Sequence, residues 1–518
     1  MKTRYLGLIL IILGCTQQSA EVEGPVETVS YNYDQPYRPQ YHFSPPEKWM
    51  NDPNGMVFYE GEYHLFYQYY PDSTVWGPMH WGHAISEDLV NWEHLPIALF
   101  PDSLGYIFSG SAVVDWKNTS GFGTTEKPPL VAIFTYHLPE GEKNGAVDFQ
   151  YQAIAYSNDQ GRSWTKYEGN PVLPNPGLKD FRDPKVFWHD PSEQWIMILA
   201  QGDHIGLYGS PDLKKWNYLS EFGQNEGSHL GVWECPDLFR LADIDGNQKW
   251  VMIVSIGPGG PMGSATQYFV GEFDGTRFVN ENAPEIVLWL DHGKDNYAGV
   301  TWSDTPDGQR LFMGWMSNWE YAQLVPTGVW RSSMTIPREL AIYATARGHR
   351  VAQRPITDLG YLRKEVLSIN RIVIAGETDW TDKLIDSVLL NFEFVVTDIS
   401  GGKDRSWQLI FGNDVEESLV IGYDDATNRY FVDRTQAGLS DFSADFAGIH
   451  YAGRISEVPQ MPLSIWLDQS SIELFADNGT VVISDLFFPT KPYNKLTFSS
   501  GPEAVLVEGE VFGLTSIW

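Results

Sequence analysis

The chain has 518 residues and a formal net charge of −32, with 42% hydrophobic and 20% charged residues. That length predicts two globular domains behind a leader, and the acidic balance excludes nucleic acid as a partner, because phosphates need clustered Lys and Arg. The only cysteines, Cys15 and Cys235, exclude a disulfide framework and a Cys-x-x-Cys zinc site.

The first 20 residues begin with Lys2 and Arg4 and continue in an apolar run from Tyr5 to Leu13. The run is shorter than the ~20 residues of a membrane span and has the form of a signal peptide. Ile12-Leu13-Gly14-Cys15 resembles a bacterial lipoprotein box. It predicts a leader over 1–15, a lipidated Cys15 and a tether over 16–36. Cleavage near Gln18-Ser19-Ala20 is the other route. Either route exports the chain: as a lipoprotein, periplasmic or at the cell surface, or as a secreted protein. Cys235 is then a free, buried thiol.

Residues 37–345 are rich in Trp, Tyr, Phe and Val with frequent Gly, Pro, Asn and Asp, the pattern of many short strands. Met56–Tyr59, Tyr63–Tyr67, Leu130–Tyr136 and Trp250–Ile256 read as strands. Ser86-x-Asp88…Trp92 recurs as Ser157-x-Asp159…Trp164 and Ser210-x-Asp212…Trp216. Asp274-Gly275 and Ser303-Asp304…Asp307-Gly308 read as degenerate copies. Five copies of a multi-strand repeat predict a five-bladed β-propeller. Residues 346–370 read as a linker, with a short helix or linker at Leu359–Val366. Residues 371–518 are again strand-like, with a hairpin turn at Asp477-Asn478-Gly479, and predict a β-sandwich. The fold class is all-β: a five-bladed propeller followed by a C-terminal sandwich.

Three acids stand at predicted strand starts in the first domain. Asp52 lies in Trp49-Met50-Asn51-Asp52-Pro53-Asn54-Gly55, Asp183 in Phe181-Arg182-Asp183-Pro184, and Glu234 in Trp233-Glu234-Cys235-Pro236. Inner strands of a propeller line one axis, so equivalent positions converge. Glycoside hydrolysis uses such a set: one carboxylate attacks or activates water, and one acid protonates the leaving oxygen. A third acid can grip hydroxyls and favour the positive transition state. The abundant aromatics, 20 Trp among them, serve as core or as flat faces for sugar rings.

Trp49–Gly55 closely resembles the sucrose-box motif of glycoside hydrolase family 32. The resemblance continues through Phe66-Tyr67-Gln68, Trp76, His80-Trp81-Gly82-His83, Phe108-Ser109-Gly110-Ser111, Arg182-Asp183-Pro184 and Glu234-Cys235-Pro236. Gly314–Trp319 and Arg331–Leu340 look like the levanase and exo-inulinase branch. Ser470–Phe475 and Phe487–Pro489 resemble the family's sandwich. Tyr70-Pro71 departs from the Asn-Pro of many members. The resemblance implies retention through a covalent fructosyl-enzyme, with Asp52 as nucleophile, Glu234 as acid/base and Asp183 as transition-state stabiliser. It places Asn51, Gln68, Trp76, Phe108, Ser109, Arg182 and Trp315 around the fructose, and Asp295 and Tyr297 as holders of the sugar or of the acid/base. Trp49 and Trp319 are walls or packing.

The implied substrate is a fructan, a fructo-oligosaccharide or sucrose. No cofactor, metal or obligate protein partner is expected, since His80 and His83 lack a third ligand. An endo-levanase, a fructosyltransferase, an inverting arabinan-type glycosidase and a fructan-binding protein with a dead site remain the alternatives. The sequence does not distinguish β-2,6 from β-2,1 linkages.

Overall fold

The computed structural model describes residues 32–384, 389–401 and 404–518. Cys15, the leader and most of the tether fall outside them. Five sheets, each built on a four-stranded antiparallel meander, follow one another from Lys48 to Pro355. Blade 1 comprises Lys48–Tyr59, Glu62–Tyr70, His80–Ser86 and Glu93–Leu99. Blade 2 comprises Tyr106–Val114, Leu130–His137, Gln150–Ser157 and Thr165–Lys166. Blade 3 comprises Phe181–His189, Gln194–Gln201, Ile205–Ser210 and Asn217–Phe222. Blade 4 comprises Trp233–Ala242, Gln248–Gly260, Gly263–Phe273 and Phe278–Asn280. Blade 5 comprises Tyr297–Thr301, Leu311–Met316, Arg338–Thr345 and Gly348–Pro355. This is the five-bladed propeller.

The sequence explains the strands. Leu130–His137 is buried along its whole length, as a strand covered on both faces must be. Blade 5 meets blade 1 through the parallel pairing of Trp330–Arg331 with Lys48–Trp49. It also meets it through Phe58 N–H donating to the Ser303 carbonyl at 2.9 Å.

The Ser-x-Asp repeat is the turn between the third and fourth strands. Asp88 Oδ1 accepts the N–H groups of Val90 and Asn91 at 2.8 and 2.7 Å, and Asp212 Oδ1 those of Lys214 and Lys215 at 3.0 and 2.9 Å. Asp274 does the same in blade 4, to Thr276 and Arg277. The proposed fifth copy is different. Asp304 and Asp307-Gly308 join the first and second strands of blade 5, so that Asp-Gly turn serves another hairpin. The turn equivalent to the others is Ala346-Arg347, without an Asp.

The predicted linker also contracts. Gly348–Pro355 is the outer strand of blade 5 and Arg363–Ile374 opens the second domain, so only Ile356–Leu362 connects them, mostly as a 3-10 turn. The last residues of the predicted tether are packed: the Tyr33 ring stacks on Trp518 at 4.0 Å.

The C-terminal domain has two six-stranded antiparallel sheets. Phe392, Phe394 and Val396 alternate inward from one sheet, and Leu409 and Phe411 from the other, giving one apolar core between them. Each large side chain buried there contributes about 1.5–3 kcal/mol.

The two domains are joined by buried ions. Arg434 of the sandwich donates to Asp295 Oδ2 at 2.6 Å and to the Tyr321 hydroxyl at 2.9 Å, all three being buried. Arg338 of blade 5 lies between Asp291 and Glu473, and His42 bridges Asp468 and Glu473 at 2.7 and 2.9 Å. Removing one partner leaves an uncompensated buried charge, which costs about 3–5 kcal/mol. Arg434→Met is therefore expected to lower the thermal midpoint of the whole chain by several degrees; an unchanged midpoint contradicts this role.

Candidate active site

The innermost strand of every blade carries a bulge at the same level. Two residues there face one on the neighbouring strand: Asn51-Asp52 against Gln68, Phe108-Ser109 against Thr135, and Asp183-Pro184 against Leu199. Blades 4 and 5 repeat it with Cys235-Pro236 against Val254 and Ala298-Gly299 against Gly314. A bulge bends the strand and re-aims its side chains. Proline follows naturally, because a bulged residue need not donate to the ladder. Asp183 and Cys235 have φ of 64° and 44°, a left-handed backbone uncommon outside glycine. Glu234 and Tyr297 immediately precede their bulges.

These bulges bring the three acids to one end of the propeller axis. Asp52 is held at both oxygens: Asn51 Nδ2 donates to Oδ1 at 2.9 Å, and Ser109 Oγ to Oδ2 at 2.7 Å. Arg182 Nη2 donates to Glu234 Oε1 at 2.8 Å, and the Tyr297 hydroxyl donates to Glu234 Oε2. Asp183 is the most deeply buried of the three, and its Oδ2 accepts Cys235 N–H at 3.1 Å. The Cys235 thiol lies 3.5 Å from Asp52 Oδ2 and 3.7 Å from Asp183 Oδ2. It is free and buried, as expected.

Charge crowding shapes the site. Burial pushes the Asp183 carboxyl up to about 7; Arg182 opposes this, and Glu234 and Asp52 add to it. Asp52 is also raised by burial, against the pull of Asn51. The Cys235 thiol is driven well above its ordinary range by burial and by Asp183 and Asp52, so it stays protonated and donates. Arg182 is held charged by Glu234, Asp183 and Asp180.

The other candidates fall in several places. Gln68 is buried, and its Nε2 has no protein acceptor among the described residues; the same holds for Trp315 Nε1. Gln68 stands opposite the Asn51-Asp52 bulge and Trp315 pairs with Tyr297, and both donors are shielded from solvent. Trp76 is 37% exposed and sets its ring edge-on against Phe108 at 6.2 Å. Phe108 in turn stacks on His137 at 4.3 Å. Trp49 is fully buried and donates to Asn51 Oδ1 at 2.7 Å, so it packs and orients rather than forming a wall. His83 pairs with His64 at 3.0 Å and His80 bonds the Pro78 carbonyl. Among the described residues no group of three or more His, Cys, Asp or Glu is arranged to hold a metal.

Asp295 is a correction. It faces Arg434, Tyr321 and the Leu486 N–H at the domain interface, and both its oxygens are used there. Three residues that sequence reasoning missed support the acids. Asp180 Oδ1 accepts from Arg182 Nη1 at 2.6 Å, Thr135 Oγ1 accepts Asp183 N–H at 3.0 Å, and Gln150 Oε1 accepts Phe181 N–H at 2.9 Å. Thr135 left a signal: it is the one aliphatic hydroxyl in the apolar run Leu130–Tyr136.

Residues 42–355 match the model of the glycosyl hydrolases family 32 N-terminal domain, and 375–512 that of the family 32 C-terminal domain. The chain belongs to glycoside hydrolase family 32. It is 49% identical over 502 residues to a levanase of Bacillus subtilis, covering 94% of this chain and 72% of that protein. It is 38% identical over 520 residues to an extracellular exo-inulinase of Aspergillus niger, covering 94% and 96%. The crystal structure of an exo-inulinase from Aspergillus awamori superposes with a TM-score of 0.86 at 36% identity, over 94% of this chain and 100% of that one. A fructofuranosidase from Schwanniomyces occidentalis complexed with fructosylnystose gives 0.83 at 32%, over 94% and 99%. The chain is thus a glycoside hydrolase.

Asp183 yields a test by linkage. Its folded pKa of about 7 lies above the ~3.9 of an unfolded Asp, so ionisation destabilises the fold as pH rises between those values. Asp183→Asn is expected to melt higher than the parent at pH 8, with the gain disappearing near pH 4. A variant that melts lower at pH 8 contradicts the assignment.

Proposed function

We propose that the chain is an exported β-fructofuranosidase that releases fructose from levan, inulin, fructo-oligosaccharides and sucrose with retention at C2. Asp52 attacks the anomeric C2 as Glu234 gives its proton to the departing oxygen; a C2–Oδ bond forms as the glycosidic bond breaks. Water then attacks C2, Glu234 takes its proton, and the Asp52 ester is released as carboxylate. Asp183 grips the fructose hydroxyls and offsets positive charge at the transition state.

The observation that carries this reading is the convergence of Asp52, Asp183 and Glu234 at equivalent levels of three inner strands, with each held by different partners. Asp52 has its carboxylate fixed from both sides, which suits a nucleophile that must present one lone pair. Glu234 sits between a cation and a phenol, which suits a group that passes a proton back and forth. A neutral sugar also fits a chain of net charge −32. Levanase and exo-inulinases are among the relatives that span this chain nearly end to end. The extracellular exo-inulinases favour export, and Ile12-Leu13-Gly14-Cys15 favours a lipid anchor, a reading tested by mass measurement of the mature N-terminus.

Purified protein is to be incubated with levan, inulin and sucrose beside an Asp52→Ala control, and products followed over time. Fructose as the only product from levan and inulin, and fructose with an equal amount of glucose from sucrose, is expected from the earliest points, with the control reduced on the order of 10⁴-fold. A ladder of oligosaccharides assigns endo action with the same residues, and no product from any substrate overturns the reading.

A further inference from the structure

At the far end of the propeller axis lies a cavity of about 480 Å³. It is lined by the downstream parts of the inner strands that carry Ser109, Asp183 and Glu234. His189 of the lining follows Asp183 by six residues, so the cavity reaches about 20 Å from the acids at ~3.3 Å per residue. That volume falls in the range of small-molecule sites.

Its charged groups are unevenly matched. The carboxylates are satisfied within the protein. Asp237 Oδ2 pairs with Lys185 at 3.1 Å and accepts the Thr301 N–H and hydroxyl at 2.8 Å each. Asp304 accepts Trp116 Nε1 at 2.9 Å and Val114 N–H at 3.3 Å. Asp190 accepts Trp188 Nε1 at 2.9 Å. Lys185 apart, the cations are not so matched. Arg310 has no side-chain hydrogen bond and no ion pair among the described residues, and its Nε is shielded from solvent without an acceptor. Burial lowers its pKa, with Asp237 and Asp304 opposing at longer range. Lys117 and Arg240 at the rim likewise have no carboxylate within ion-pair distance.

The aromatic walls narrow the choice of ligand. A neutral sugar needs bare ring faces. Here Lys117 Nζ covers Trp188 at 4.3 Å and the Arg240 guanidinium covers Trp250 at 4.7 Å. Such stacked cations keep their N–H groups directed elsewhere. Trp116 is 55% exposed and adds apolar surface to the lining.

We propose that this cavity binds an oxyanion, a carboxylate or a phosphate monoester, carried on a sugar-sized molecule, with the half-buried Arg310 as its ligand and Lys117 and Arg240 at the rim. A planar guanidinium with free donors matches two oxygens of such a group.

Inorganic phosphate, glucuronate and glucose are to be titrated calorimetrically into the full chain, its Arg310→Met variant and its Lys117→Ala variant. One saturable site for an anion is expected, weakened at least tenfold by Arg310→Met and about threefold by Lys117→Ala, with fructan hydrolysis unchanged in both. Tighter glucuronate assigns sugar acids, and tighter phosphate assigns phosphate esters. No saturable anion binding overturns the proposal, as does equal affinity in Arg310→Met or glucose binding that matches glucuronate. Where Arg310→Met does not fold, Lys117→Ala decides, and unchanged affinity there overturns it.

Discussion

Three carboxyl groups share one guanidinium at the mouth of the propeller. Arg182 pairs directly with Glu234, lies 3.9 Å from Asp183, and is itself anchored by Asp180. One cation cannot neutralise three acids, and Asp183, the most buried, is raised to about 7 by burial first and then by Glu234 and Asp52, against the pull of Arg182. Such crowding costs stability wherever those groups ionise. The rest of the fold holds it in place: five blades closed on themselves, five bulges at one level, and hydrogen bonds from Asn51, Ser109 and the Cys235 backbone.

Most of this site was legible because the bulges leave a mark in the sequence. Asp52-Pro53, Asp183-Pro184 and Cys235-Pro236 are acids or their neighbours beside a residue that cannot donate to a ladder. Ser109-Gly110 and Ala298-Gly299 place a glycine there instead. The blades were legible where the Ser-x-Asp turn recurs, since a carboxylate bonded to two following N–H groups needs that spacing. The reading failed in blade 5, because an Asp-Gly turn fits any hairpin and does not say which strands it joins. The linker was overdrawn for a related reason: Gly348–Pro355 is polar on its outer edge and reads as loop until its pairing with Arg338–Thr345 is known.

Asp295 shows a deeper limit. A buried acid beside a catalytic motif and a buried acid at a domain interface look alike in sequence. Only Arg434, 139 residues away, distinguishes them. The sandwich therefore has a physical task independent of substrate: its Arg434 and Glu473 neutralise charges on the propeller. Asp295 lies two residues from Tyr297, whose hydroxyl bonds Glu234. The interface that joins the domains thus also steadies the strand whose Tyr297 bonds Glu234.

The central claim is that Asp52 attacks C2 from the face opposite the leaving group, which Glu234 serves, through a covalent intermediate. The anomeric form of newly released fructose tests it most directly, followed by ¹³C NMR before mutarotation mixes the forms. Retention requires β-fructofuranose as the first product. First release of the α anomer would contradict the covalent route and make Asp52 a base for water.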